Sequence, residues 1–319
     1  MKKYLTIFLL ALSLIVMSQC ARQPAKKPDL PQIPKKISRG EGKEPVLDVY
    51  EIQTQTVKEM NLEDYVAGVV AGEMQNDWPI EALAAQSILA RTYVLEFITD
   101  KGSSRYENAD ISTDFGEAQA WNPDNINDRI RKAVEMTRGE VIVYDGKFIK
   151  AWFHSHSGGM TATAKEGLNF KETEPPYIQV KKSPDENAGP EDKRIWTCSF
   201  SKDEFHSLIN KQTGIDPGEI NEVSVVERGP SGRATRLKIG NATLFAPDLR
   251  VAIGSMRMKS TLLTSFRVED NKIIMAGKGF GHGVGVSQWG ANALAKQGKS
   301  PEQIITYYFK DVDIVKLWE

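Results

Sequence analysis

Glu73 is the residue whose position in the sequence asks most directly for chemistry. It falls seven positions after Val66 and eleven after Leu62. A period of 3.6 residues sets it within about 20° of both, on the apolar stripe of a helical segment and away from the solvated face. Burial raises the pKa of a carboxyl group, and a raised pKa is what a general acid needs near neutral pH. Arg91 repeats the pattern on the next helical segment, seven positions after Ala84 and eleven after Ile80. The two opposite charges point either to a buried ion pair that joins two helices or to an acid with a guanidinium beside it that fixes the carboxyl or holds substrate.

Two later clusters carry further chemistry. His154-Ser155-His156 closes an apolar run, and strand alternation places both imidazoles on one face with Ser155 opposite. Such a pair suits hydrogen bonding in a cleft, or a metal whose third ligand comes from His282, His206 or a carboxylate. The glycine-dense segment Gly277 to Gly290 carries His282, Gln288 and Trp289. Its backbone lets a ligand approach closely, and its hydrogen-bonding and stacking groups suit sugars. It has neither the G-x-G-x-x-G nor the G-x-x-x-x-G-K-[ST] register of a phosphate-binding loop. The serine-hydrolase and zincin signatures and a histidine-paired cysteine are also absent.

These residues need elements to hold them. Asn61 starts a helix that runs from Leu62 to near Met74, and Pro79 opens a second that Lys101-Gly102 ends, which together make a helical hairpin with a short corner. Asp145-Gly146 predicts a turn between strands at Val141–Tyr144 and Phe148–His156. Two more hairpins join Val223–Glu227 to Thr235–Ile239 and Ser265–Val268 to Lys272–Met275. Helices at Ser287–Gln297 and Ile304–Phe309 close the chain, the second behind a Ser300/Gln303 capping box. Helices before and after antiparallel strands predict an α+β fold with a substrate cleft, and not a doubly wound parallel sheet.

The 319 residues carry 41 basic and 42 acidic side chains, a net charge of −1, so no basic field points to nucleic acid. The chain has two cysteines, Cys20 and Cys198, which excludes a disulfide scaffold; Cys198 reads as a buried strand thiol. Lys2 and Lys3 precede an apolar run to Met17, the order of a secretory signal, and the run is short of the about 20 residues that span a bilayer. Residues 1–20 are therefore a signal peptide or signal anchor, with Cys20 placed for lipidation. Residues 21–46, with Pro24, Pro28, Pro31 and Pro34 among lysines, read as a semi-stiff tether, and residues 47–319 as the folded unit. The expectation is an exported protein held at the outer face of the cell membrane.

Tyr65-Val-Ala-Gly-Val-Val-Ala-Gly-Glu-Met74, Trp78-Pro-Ile-Glu-Ala-Leu-Ala-Ala-Gln86 and Ala90-Arg-Thr-Tyr93 resemble the stage II sporulation protein D (SpoIID) family. Phe153-His-Ser-His-Ser-Gly-Gly-Met-Thr161 and Gly279-Phe-Gly-His-Gly-Val-Gly-Val-Ser-Gln-Trp-Gly290 look like its later signatures, in the same order. The resemblance implies a peptidoglycan lytic transglycosylase that cuts between N-acetylmuramic acid and N-acetylglucosamine and leaves a 1,6-anhydro product. Glu73 falls on the family's catalytic glutamate, and Gln86, Arg91, His154, Ser155, His282 and Gln288 take substrate-binding places. The related amidase-enhancer branch implies an alternative, a wall-binding activator of a cell-wall amidase, and with it an amidase partner beside the glycan. Some relatives hold zinc through a histidine and cysteines near the His154 motif; this sequence offers Met160 and Glu166 there but no cysteine, so no metal or other cofactor is expected.

Overall fold

The computed structural model describes residues 30–319. The expected signal segment, Cys20 and the first part of the tether lie outside them. A hairpin of β1 (Val46–Glu51) and β2 (Thr56–Asn61) leads into α1 (Leu62–Glu73) and, through a corner at Trp78, into α2 (Ile80–Lys101). β3 (Ile111–Ser112) pairs parallel with β1, and α3 (Asp128–Met136) packs on α2. β4 (Glu140–Tyr144) turns into β5 (Lys147–Phe148); β6 (Phe153–His154), α4 (Ala164–Leu168) and α5 (Glu191–Arg194) follow.

The next stretch alternates strands with two helices: β7 (Ile195–Ser201), α6 (Lys202–Thr213), β8 (Val223–Arg228), β9 (Ala234–Ile239), β10 (Ala242–Phe245), α7 (Ala246–Ala252), β11 (Leu263–Glu269) and β12 (Lys272–Lys278). The chain then returns through β13 (Val286–Ser287), α8 (Gln288–Lys296), α9 (Pro301–Tyr308) and β14 (Asp313–Lys316). The fold is α+β. Its small sheets are ordered β2-β1-β3, β14-β4-β5, β10-β9-β8 and β11-β12-β7, with a two-stranded β13-β6.

Within the span expected as one unit, the buried apolar residues form two clusters. One gathers side chains from Ile37 to Ile178 and again from Val284 to Trp318 around α1 and α2. The other lies between Trp196 and Met275, where Phe200, Phe205, Leu237 and Leu249 pack between the sheets and α6 and α7. The tether does not stay free to residue 46: Ile37 is fully buried in the first core, and Val46 donates its N–H to the Ile37 carbonyl at 3.1 Å.

Helix α1 departs from the expected amphipathic pattern. Leu62, Tyr65, Val66, Gly68, Val69 and Val70 are all buried, so nearly every side of it is covered. The covering comes from α2 and α3 and from a loop that lies directly on the helix. A Cβ at Gly68 would stand 2.1 Å from the Trp121 indole nitrogen, and one at Gly72 would stand 2.7 Å from the Ala120 backbone. Glycines one turn apart thus let residues 118–122 touch the helix backbone.

The strand expected over Phe148–His156 is broken. Asp145 and Gly146 make the turn with positive φ, but β5 stops after two residues, and β6 pairs parallel with β13, Phe153 opposite Val286 and His154 opposite Ser287. The glycines of the last signature permit this. A Cβ at Gly285 would meet the Trp152 carbonyl oxygen at 2.0 Å, and one at Gly281 would meet the His154 Cβ at 2.7 Å, both at positive φ. The Ser300 capping box forms as the sequence predicts, and Ser287, expected within the last-but-one helix, is the N-cap of α8.

Candidate active site

Glu73 is the last residue of α1 and opens onto a cavity of about 510 Å³ between the two cores. Helix α2 and the loop after β3 contribute Tyr93, Phe115 and Gln119, α7 and the segment after it Arg250, Ser255 and Met256, and the two late signatures His154, Ser155, His282 and Gln288. Among the described residues on the wall, Glu73 is the sole carboxylate. Its Oε1 accepts the Ala120 N–H at 2.8 Å and its Oε2 accepts the Gln288 amide at 3.2 Å. Burial raises its pKa above the ordinary carboxylate value, and these two hydrogen bonds pull the other way without cancelling the shift. A helix C-terminus, the negative end of the helix dipole, further disfavours the ionised form.

Parallel pairing of β6 and β13 delivers the other groups. It sets His154 beside Ser287, which caps the helix that begins with Gln288. Asp185, fully buried, holds both signatures in place: it accepts the Ser157 N–H at 2.7 Å and hydroxyl at 2.6 Å, and also the Ser287 hydroxyl. His154 Nδ1 donates to the Val284 carbonyl at 3.1 Å, so Nε2 carries a lone pair, and no described residue bonds to it. Burial, with Arg233 nearby, pushes the His154 pKa down to about 3, so this ring is a neutral acceptor at working pH. His282 spends Nδ1 on the Val284 N–H at 3.0 Å and also bonds the Phe153 backbone. Ser155 ties its carbonyl to the Trp289 N–H at 3.1 Å.

Three expected groups are not brought to the cavity. Arg91 neither meets Glu73 nor faces substrate: it is fully buried and pairs bidentately with Glu63, Nε to Oε1 at 3.0 Å and Nη2 to Oε2 at 2.6 Å. The reason is axial. In an antiparallel hairpin Arg91 lies about 15 Å along α2 from the corner, level with Glu63 at the far end of α1, whereas Glu73 sits at the corner itself. Gln86 is fully buried off the cavity wall, with no partner for its amide among the described residues. Trp289 packs edge-on against Trp78 at 4.6 Å and leaves stacking to Tyr93, Phe115, Trp152, Phe153 and Phe280.

Comparison with known proteins supplies the family. A family model described as stage II sporulation protein matches residues 50–144, and a domain of unknown function, DUF8618, matches residues 166–285, which contain the second core. A stage II sporulation protein D from Bacillus amyloliquefaciens is 31% identical over 297 residues, 87% of this chain and 83% of that protein. The chain belongs to the stage II sporulation protein D family. An uncharacterised protein of Brachyspira hyodysenteriae is 35% identical over 260 residues, 81% of this chain and 68% of its own length. An amidase enhancer of Bacillus subtilis is 29% identical over 294 residues, 76% of this chain and 39% of its own.

The residues near the His154 motif do not fit a metal. His156 donates Nε2–H to the Ala188 carbonyl at 3.1 Å and accepts the Gly158 N–H on Nδ1 at 2.9 Å, which leaves no lone pair. Glu166 is taken up by Ser231 and the Arg233 N–H, and Cys198 is half-buried on β7, its thiol pushed up to about 11 by burial. Among the described residues no three His, Cys, Asp or Glu side chains stand close enough to share an ion.

Gln119 and Arg250 reach the cavity without a sequence signal that singles them out. The glycine pair on α1 is the trace of the loop that bears Gln119; Arg250 carries no such trace. Its Nε donates to the Lys259 carbonyl at 3.1 Å, and burial together with Arg233 lowers its pKa to about 10.

Proposed function

We propose that this protein is an extracytoplasmic lytic transglycosylase that cleaves the bond between N-acetylmuramic acid and N-acetylglucosamine in peptidoglycan, with Glu73 as acid and then base. The carrying observation is a wall carboxyl, single among the described residues, whose pKa is raised by burial while two neutral donors cradle it. In the first step the protonated Glu73 donates to the glycosidic oxygen as the bond from C1 breaks. In the second its carboxylate takes the proton of the muramyl C6 hydroxyl as that oxygen bonds C1, so no water is consumed and Glu73 ends protonated. Gln288 and the Ala120 N–H hold the carboxylate between the steps, which limits what the burial costs at that moment. Glycosidases that use water place two carboxyl groups across the bond, and a wall with one supports the anhydro route. His154 Nε2 is an acceptor for a sugar hydroxyl.

Membership of the family supports a cell-wall role in sporulation. The relative named amidase enhancer favours one second reading, a glycan-binding activator of a cell-wall amidase. Mass spectrometry of purified glycan strands after incubation with the protein separates them. Anhydromuramyl ends are the expected product. Reducing ends that have gained water would make it a hydrolase, and intact strands with retained binding would favour the activator.

A further inference from the structure

The loop held against α1 carries a side chain that the mechanism leaves unused. Gln119 is 3% exposed, lines the cavity, and neither its Oε1 nor its Nε2 has a hydrogen-bond partner among the described residues. A buried carboxamide normally satisfies its donors and its acceptor. Gln86 shares the deficit but stands away from the cavity wall, so no ligand entering there could meet it.

Gln119 is also placed by the acid. It directly precedes Ala120, whose N–H donates to Glu73 at 2.8 Å, so the carboxamide and the reacting carboxyl share one wall. A ligand that satisfies this carboxamide must bring an acceptor to Nε2 and a donor to Oε1, and a secondary amide carries both, as its C=O and its N–H. Ala118, Phe115 and Tyr93 on the same wall are apolar surfaces fit for a methyl group. A planar amide that ends in a methyl is an acetamido group.

We propose that Gln119 reads the 2-acetamido group of the sugar whose glycosidic bond faces Glu73. This rests on the glycan-cleaving reading and adds a specificity to it: the site accepts N-acetylated strands and rejects strands with a free amine at C2. The protonated amine offers no acceptor and leaves Gln119 Nε2 unpaired. The same carboxamide makes no hydrogen bond with any described residue of the free protein.

The test compares kcat/KM and binding on purified glycan strands before and after N-deacetylation, for the full-length wild type and for Gln119→Met, which keeps the volume and removes the amide. Wild type is expected to prefer acetylated strands at least about tenfold, the discrimination of a buried polar group left unpaired. In Gln119→Met that ratio should fall towards one while Tm stays level or rises. A wild type indifferent to acetylation, or a Gln119→Met that keeps the preference, would overturn the assignment. So would a variant with lowered Tm and equal losses on both strands, since that marks a structural role. If no strand is cleaved at all, the function reading fails, and the ratio of dissociation constants for the two strands still decides the role of Gln119.

Discussion

Glu63 and Glu73 stand at opposite ends of one buried helix and are held in opposite ways. Glu63, in the first turn of α1, receives both arms of the Arg91 guanidinium, the Gly139 N–H at 3.1 Å and the Trp318 indole N–H at 3.0 Å. Glu73, at the last residue, receives one backbone N–H and one amide, and no cation among the described residues pairs with it. The first arrangement pairs a carboxylate with a guanidinium and joins α1, α2 and the C-terminus. The second makes the charge uncomfortable, which suits a group that must hold a proton and then lose it. Burial alone therefore does not mark an acid; the absence of a counterion does.

Four measurements would break or sharpen this contrast. Glu73→Gln should lower turnover by about 10²–10⁴-fold, the scale of general acid–base catalysis, without loss of folded protein. Arg91→Met should do the reverse: it leaves Glu63 buried and unpaired, so urea unfolding should show a loss of about 3–5 kcal/mol, while activity per folded molecule changes little. Gly72→Ala pushes a methyl into the Ala120 backbone, and the forced shift should lower stability by about 1–3 kcal/mol and weaken the donor to Glu73. The smallest effect belongs to pH. The Gln288 amide stabilises the carboxylate, so Gln288→Ala should raise the Glu73 pKa further and move the alkaline limb of the rate profile to higher pH. Movement to lower pH would mean that Gln288 acts in some other way.

The same sign applies to stability. Because the folded pKa of Glu73 is raised, the protonated form is favoured in the native state, and stability falls as pH rises through that pKa. The Tm of Glu73→Gln should match that of wild type below the ordinary glutamate pKa of about 4.3 and exceed it increasingly from there up to the raised pKa of Glu73, above which the gap is constant.

Much of the local structure was legible in sequence. The limits of α1 and α2, the β8–β9 and β11–β12 hairpins of the second core and the Ser300 cap follow from periodicity, turn residues and capping, all of which act over a few residues. Glu73 was legible for the same reason, as a carboxyl out of phase with its surroundings. The failures came from distance. The axial level that separates Arg91 from Glu73 depends on which helix end meets the corner, and the helical wheel discards that coordinate. The two-residue ladder joining His154 to Ser287 leaves no period to detect, so His154 and His156 looked equivalent although only the first reaches the cavity. Gln119 was silent because a loop declares itself only through the glycines that make room for it.

The central claim is that Glu73 carries the bond cleavage. The most direct test measures anhydromuramyl ends released from purified glycan by wild type and by Glu73→Gln, at one pH and with equal folded fractions confirmed by Tm. Anhydro ends are expected from wild type, with a loss of at least about 10²-fold in the variant. Unchanged release by Glu73→Gln would contradict it.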